Sequence, residues 1–100
     1  MKPFNFDSYE GRQRFYQSKE WKTIREFMLS KQPLCIKCHI EGKIEPATEI
    51  DHIIPLRRKP ELCLDTENLM PLCKSHHSQK TFEEAVRFNK IFKPAKLLWN

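Results

Sequence analysis

Two short hooks of metal-binding residues constrain this chain more than any other feature. Cys35 and Cys38 are separated by two residues, and Cys73 and His76 repeat that interval downstream. A backbone knuckle of that length brings both of its side chains to one ion without strain. Two such hooks predict a tetrahedral zinc site of three thiolates and one imidazole. Four protein ligands leave no open position, so the ion reads as structural. It adds folding free energy to a 100-residue chain whose own core is modest. Disulfides are the competing reading, and a cytosolic setting disfavours them. Cys35-Ile36-Lys37-Cys38-His39 also matches the attachment motif of c-type haem, which requires export. The segment Met1–Asp7 has no apolar h-region, so the expected compartment is the cytoplasm. Cys63, outside both hooks, reads as a small buried hydrophobe.

Composition narrows the class. Lys and Arg number 18 against 13 Asp and Glu, a formal charge of +5 with a pI near 9.1, which suits an anionic partner, nucleic acid first. With 39% hydrophobic and 31% charged residues, no repeat and no Gly/Ser linker, residues 1–100 read as a single soluble domain. No run approaches the ~18 apolar residues of a membrane span. Trp21, Ile24, Phe27 and Met28 form a helical stripe between an N-cap at Ser18 and a stop at Pro33. Its outer face carries Lys19, Lys22 and Arg25, a possible fringe against a nucleic-acid backbone. A shorter helical piece covers Gly11–Gln17. Leu34–Ile44 suits a knuckle and turn, Ala47–Pro55 a short strand, and Asn68–Leu72 a second one, kept at an edge by Pro71. From Lys74 to about Phe92 the pattern is helical again, with Ala85, Phe88 and Phe92 on one side.

A second set of polar residues is left over by the zinc hooks: Asp51, His52, Asn68 and His77. Adjacent residues on a helix point about 100° apart, so His76 can face one site while His77 faces another. On a regular strand Asp51 and His52 point to opposite faces, so both can serve one phosphate only if the strand twists, bulges or ends there. Singly, each of these residues is ordinary: a strand-end carboxylate, a packed histidine, a turn asparagine, a surface histidine.

Together they carry a resemblance. Cys35-x-x-Cys38, then Glu49-Ile50-Asp51-His52-Ile53-Ile54-Pro55-Leu56, then Asn68-Leu69-x-Pro71-Leu72-Cys73-x-x-His76-His77-x-x-Lys80-Thr81 resembles the HNH endonucleases of phage genomes and restriction systems. The likeness extends upstream to Phe15-Tyr16-x-Ser18-x-x-Trp21 and spans roughly residues 12–82. It implies an α+β fold: a small ββα-metal (His-Me finger) domain with a zinc knuckle and a flanking N-terminal helix. The motif core would run over about 33–82 and the helical segment over about 11–31. Carried over, His52 matches the general base, and Asp51 and His77 the ligands of a catalytic Mg²⁺ or Mn²⁺. Asn68 matches the residue that orients the hairpin loop. Cys35, Cys38, Cys73 and His76 match the ligands of the structural zinc, although many relatives have Cys at the position of His76.

The chemistry of phosphodiester hydrolysis suits those roles. It needs an activated water, stabilisation of charge on the phosphoryl oxygens and help for the departing 3′ oxygen. Arg57, Arg58, Lys59 and Lys80 are candidate contacts to the backbone of double-stranded DNA. Such contacts position a duplex without reading its sequence. Phage-type relatives often act beside a DNA-packaging terminase, which the resemblance implies as a partner. The competing class is a non-catalytic zinc-binding module docked on DNA or protein. It needs the hooks but has no use for Asp51, His52 or His77.

Overall fold

Serine caps start the first two helices. The Ser8 hydroxyl accepts from the Gly11 N–H and opens α1, Tyr9–Tyr16; the Ser18 hydroxyl accepts from the Trp21 N–H and opens α2, Lys19–Lys31. Pro33 lies just beyond the end of α2, as the sequence predicts, and α1 begins two residues ahead of the predicted Gly11 because Ser8 supplies the cap. The structure, a computed structural model, describes residues 4–92, with side chains inside the last helix as far as Val86. The predicted alignment of Phe88 and Phe92, and the tail to Asn100, lie outside the described side chains.

After α2 the chain forms the knuckle. It holds a short helix, α3, Ile36–Ile40, which the sequence reading did not separate from the surrounding turns. Leu34 bridges Pro46 and the Cys35 N–H donates to the Glu45 carbonyl at 2.8 Å, closing the base of the loop. Gly42, at φ +85°, supplies the left-handed turn after α3 that few other residues adopt without strain.

Strand β1, Glu49–His52, pairs antiparallel with β2, Leu69–Leu72, with Asp51 opposite Met70 and His52 opposite Leu69. In a two-stranded sheet both strands are edges, so Pro71, opposite Ile50, costs no interior ladder bond. β1 is shorter than the predicted Ala47–Pro55. Past His52 the backbone is claimed by Asn68 instead of a partner strand: its Oδ1 accepts from the Ile54 N–H at 2.8 Å, and its Nδ2 donates to the Ile54 carbonyl at 3.2 Å. Helix α4, Lys74–Phe92, then packs back across both strands, completing ββα.

Two cores result. The larger gathers Phe6, Phe15, Trp21, Met28, Ile50, Leu56, Cys63 and Leu69 from the segment before α1, from α1, α2, the sheet and the connecting loop. Phe15 is its hub, edge-on to Phe4, Phe6 and Tyr16 at ring separations of 5.2–5.6 Å. The smaller joins Cys35, Cys38 and Leu72, with Met70 and Cys73 against them. Cys63 is buried, as expected for a small hydrophobe.

α1 reaches the larger core through a close approach. Gly11 is buried, and a Cβ there would collide with the Asn5 carbonyl and press on the Ser8 hydroxyl that caps the helix. Gly11→Ala is expected to destabilise the fold by about 1–3 kcal/mol through overpacking, despite alanine's better helix propensity. Urea denaturation checks this; an unchanged or raised midpoint would contradict the packing.

Candidate metal centre and active site

The two hooks meet. The thiols of Cys35, Cys38 and Cys73 and the imidazole of His76 lie with their ligand atoms all within 4.8 Å of one another, and all four cysteines are free thiols. Both hooks use the same local geometry: the Cys35 sulfur accepts from the Cys38 N–H at 3.4 Å, and the Cys73 sulfur from the His76 N–H at 3.5 Å. His76 Nδ1 is 3.5, 3.4 and 3.3 Å from the sulfurs of Cys35, Cys38 and Cys73, and the Cys38 and Cys73 sulfurs are 3.8 Å apart. A tetrahedron around zinc has edges of about 3.8 Å between sulfurs and about 3.5 Å between sulfur and nitrogen, given ordinary bond lengths. The residues therefore fit the ion.

Without an ion the four groups hold their protons unevenly. Burial raises the Cys35 thiol, but backbone and thiol contacts with Cys38 and Cys73 outweigh it and bring the group down to about 6. Burial and the Cys35 and Cys73 thiols push Cys38 up to about 12, while the His76 N–H lowers Cys73. Three sulfurs this close share negative charge badly until a cation sits among them. The Cys73 thiol beside Nδ1, and then the Glu41 carboxylate, raise the His76 ring to about 8. Glu41 Oε2 lies 3.1 Å from His76 Nε2, a partnership with no sequence signal. Among the described residues this is the one cluster of three or more potential metal ligands.

His77 leaves that cluster, as the helical phase requires. It lines a hollow of about 480 Å³ together with Asp51, and the far wall belongs to α2, with Trp21, Lys22 and Arg25. Strand alternation persists to the end of β1. Asp51 is half-buried and faces the hollow, whereas His52 turns with Ile50 towards the core and is 2% exposed. The strand does end at His52, yet that ending does not bring the two side chains to one face. The His52 ring stacks on Trp21 at 5.1 Å and lies 6.4 Å from the Tyr16 ring, and both aromatics also line the hollow. The imidazole therefore sits one aromatic layer from the space that Asp51 and His77 share.

The hydrogen bonds at His52 define its state. Its Nε2 is 3.0 Å from the Cys63 carbonyl, which can only accept, so Nε2 carries the proton and the lone pair is on Nδ1. Burial pushes the ring below its ordinary value, against the opposing pull of the Cys63 carbonyl and Asp51, so it is neutral at pH 7. Burial and then Asp51 push the Tyr16 phenol up to about 12, keeping its hydroxyl a neutral donor.

Lys80 was expected on a DNA phosphate. It does share the His77 side of α4, but that side looks onto the end of β1. Its ammonium is 3.3 Å from Asp51 Oδ2, donates to the His52 carbonyl at 2.9 Å and pairs with Glu84. Asp51 Oδ1 accepts from the His52 N–H at 2.8 Å, so both carboxylate oxygens are held. Arg57, Arg58 and Lys59 follow on an exposed turn closed by the Pro55 carbonyl. Sequence reasoning missed the aromatic cover from Tyr16 and Trp21 and the tethering role of Lys80. It placed Trp21 in the apolar stripe of α2 and named Tyr16 only within the upstream part of the resemblance.

Comparison with known proteins agrees with this picture. A family model described as HNH endonuclease matches residues 35–83. The chain is 32% identical over 74 residues to a "Probable HNH endonuclease" of Lactococcus phage SK1, covering 69% of this chain and 77% of that protein. The crystal structure of the HNH endonuclease of deep-sea thermophilic bacteriophage GVE2, with manganese ion, matches with a TM-score of 0.73 at 39% identity over 79% of this chain and 87% of that one. By fold and by these likenesses the chain belongs to the HNH endonuclease family, and is a hydrolase of that class.

Proposed function

We propose that this protein is a metal-dependent DNA endonuclease that hydrolyses phosphodiester bonds in duplex DNA with little intrinsic sequence specificity. The observation that carries the reading is the shared hollow. One carboxylate from β1 and one imidazole from α4, Asp51 and His77, open onto the same space. That pair suits a catalytic Mg²⁺ or Mn²⁺, and the manganese bound to the GVE2 enzyme supports it. When bound, such an ion would stabilise charge on the phosphoryl oxygens and the leaving oxygen. Cys35, Cys38, Cys73 and His76 would hold a structural zinc.

The chain's own groups divide the remaining work. His52, neutral with its lone pair on Nδ1, is suited to take a proton from the attacking water; that water must pass the Tyr16–Trp21 layer. Asn68 holds the loop that follows β1 through both polar groups of Ile54. Lys80 keeps the Asp51 carboxylate aimed at the hollow. Arg57, Arg58 and Lys59 would meet the DNA backbone from their exposed turn, without reading bases. Single domain architecture over residues 1–100 is part of the same proposal.

Plasmid nicking with Mg²⁺ or Mn²⁺ tests the activity. His52→Ala and His77→Ala are each expected to lower the nicking rate by about 100-fold or more. His77→Ala should keep zinc content and melting temperature near wild type, whereas His52→Ala, which empties a buried site against Trp21, should keep its zinc but melt lower. Cleavage retained by either variant removes that residue from the reaction. Absence of cleavage by the folded wild type under any divalent ion would favour a non-catalytic zinc module instead.

Chelation tests the structural ion separately. A strong chelator is expected to lower the wild-type melting temperature, whereas Cys38→Ser should start lower and respond little. A chelated wild type that melts unchanged argues against the zinc.

The basic residues separate by role. Arg57→Ala and Arg58→Ala are each expected to weaken duplex binding about equally across sequences and to flatten its salt dependence by about one unit. Lys80→Met should instead cost about 1–3 kcal/mol of stability by leaving the Asp51 carboxylate and a carbonyl without their partner. Denaturation and fluorescence anisotropy at several salt concentrations distinguish the two effects.

A further inference from the structure

The hook that contains His76 has a feature that an all-cysteine site would lack. An imidazole that binds an ion through one nitrogen still has a proton on the other, and that proton needs an acceptor. Here Nδ1 faces the three sulfurs at 3.3–3.5 Å, while Nε2 points out of the cluster to Glu41 Oε2 at 3.1 Å. Glu41 is placed for this by the other hook. It is the C-cap of α3, three residues past Cys38, and the turn through Gly42 is closed by Lys43 N–H donating to the Cys38 carbonyl at 2.8 Å. Its second oxygen, Oε1, lies 3.7 Å from Lys43 Nζ, so the carboxylate is gripped at both ends. The two hooks are thus joined twice: once through the ligand atoms, and once through this outer contact.

We propose that Glu41 is a positioning residue for the metal centre: by accepting the Nε2 proton of His76 it fixes Nδ1 as the donor atom, orients the ring and strengthens it as a ligand for zinc. Glu41 itself binds no ion. Its usefulness depends on the ligand being histidine, because a cysteine at the same position has no second proton to offer. The inference rests on the reading of the hooks as a zinc site and goes beyond it.

The test is a double-mutant cycle on the full-length zinc-loaded protein, with zinc affinity measured by competition with a chromophoric chelator. Glu41→Ala is expected to weaken zinc binding by about 10-fold or more, and Glu41→Gln, which keeps an acceptor but loses the charge, by less. In a His76→Cys background, Glu41→Ala should change affinity by less than about 2-fold, because the proton it serves is gone. A Glu41→Ala protein with wild-type affinity overturns the proposal. So does an equal loss in the His76→Cys background, which would mean that Glu41 acts through the α3 turn and not through the ring. Glu41→Gln keeps the question open to measurement should the alanine variant fold poorly. The Nε2-bound proton of His76, seen by NMR in the zinc protein, should move upfield in that variant; an unmoved resonance also overturns the proposal. A wild type that takes up no zinc would instead bring down the zinc reading.

Discussion

Cys35 and Cys38 lie at the start of the knuckle and Cys73 and His76 at the junction of β2 with α4, yet their three sulfurs and one nitrogen converge to within 4.8 Å. The smaller core is built from the three cysteines of the cluster with Leu72 and Met70, so its packing and the meeting of the hooks are one feature. α4 begins at this junction, and the direction in which it leaves determines where His77 and Lys80 point. The Cys/His cluster therefore sets the geometry of the hollow that Asp51 and His77 share.

From there the structure hands position along a short chain of contacts. Lys80 reaches from α4 to the end of β1 and holds the Asp51 carboxylate; Asp51 in turn accepts from the backbone N–H of His52. Asn68 takes over the backbone at Ile54 and stops the strand. On the other side of the same strand, Trp21 stacks on His52, whose Nε2 is fixed by the Cys63 carbonyl. Asp51 and His52 are neighbours in sequence, but one belongs to an ionic network and the other to an aromatic core. The two environments differ in kind: polar partners hold both oxygens of the carboxylate in place, and burial keeps the imidazole neutral.

Much of this was legible in the sequence, for identifiable reasons. The hooks are local spacings, and local spacing is what a sequence displays best. The N-cap at Ser18 and the range of α4 follow from short-range hydrogen bonding and periodicity in the same way. The limits of β1 were misjudged because they depend on Asn68, an acceptor many residues away, and not on the β propensity of Ile53 and Ile54. The environment of His52 was hidden because Trp21 and Tyr16 come from an earlier part of the chain and the contact is tertiary. Lys80 looked like a surface cation because sequence gives its helical face but not what that face meets. Glu41 was invisible for the same reason.

The stretch from Cys73 to Lys80 also behaves as a ruler. Within it the second hook, a residue of the hollow and the Asp51 tether follow one another, with His76 on one face of α4 and His77 and Lys80 together on another. Each added or removed residue turns everything beyond it by about 100°. Side chains within this stretch can be exchanged singly, but its length cannot change without turning His77 and Lys80 away from the end of β1. A longer loop between β1 and β2 would turn no helix, but it would still have to return Leu56 and Cys63 to the core and Asn68 to Ile54.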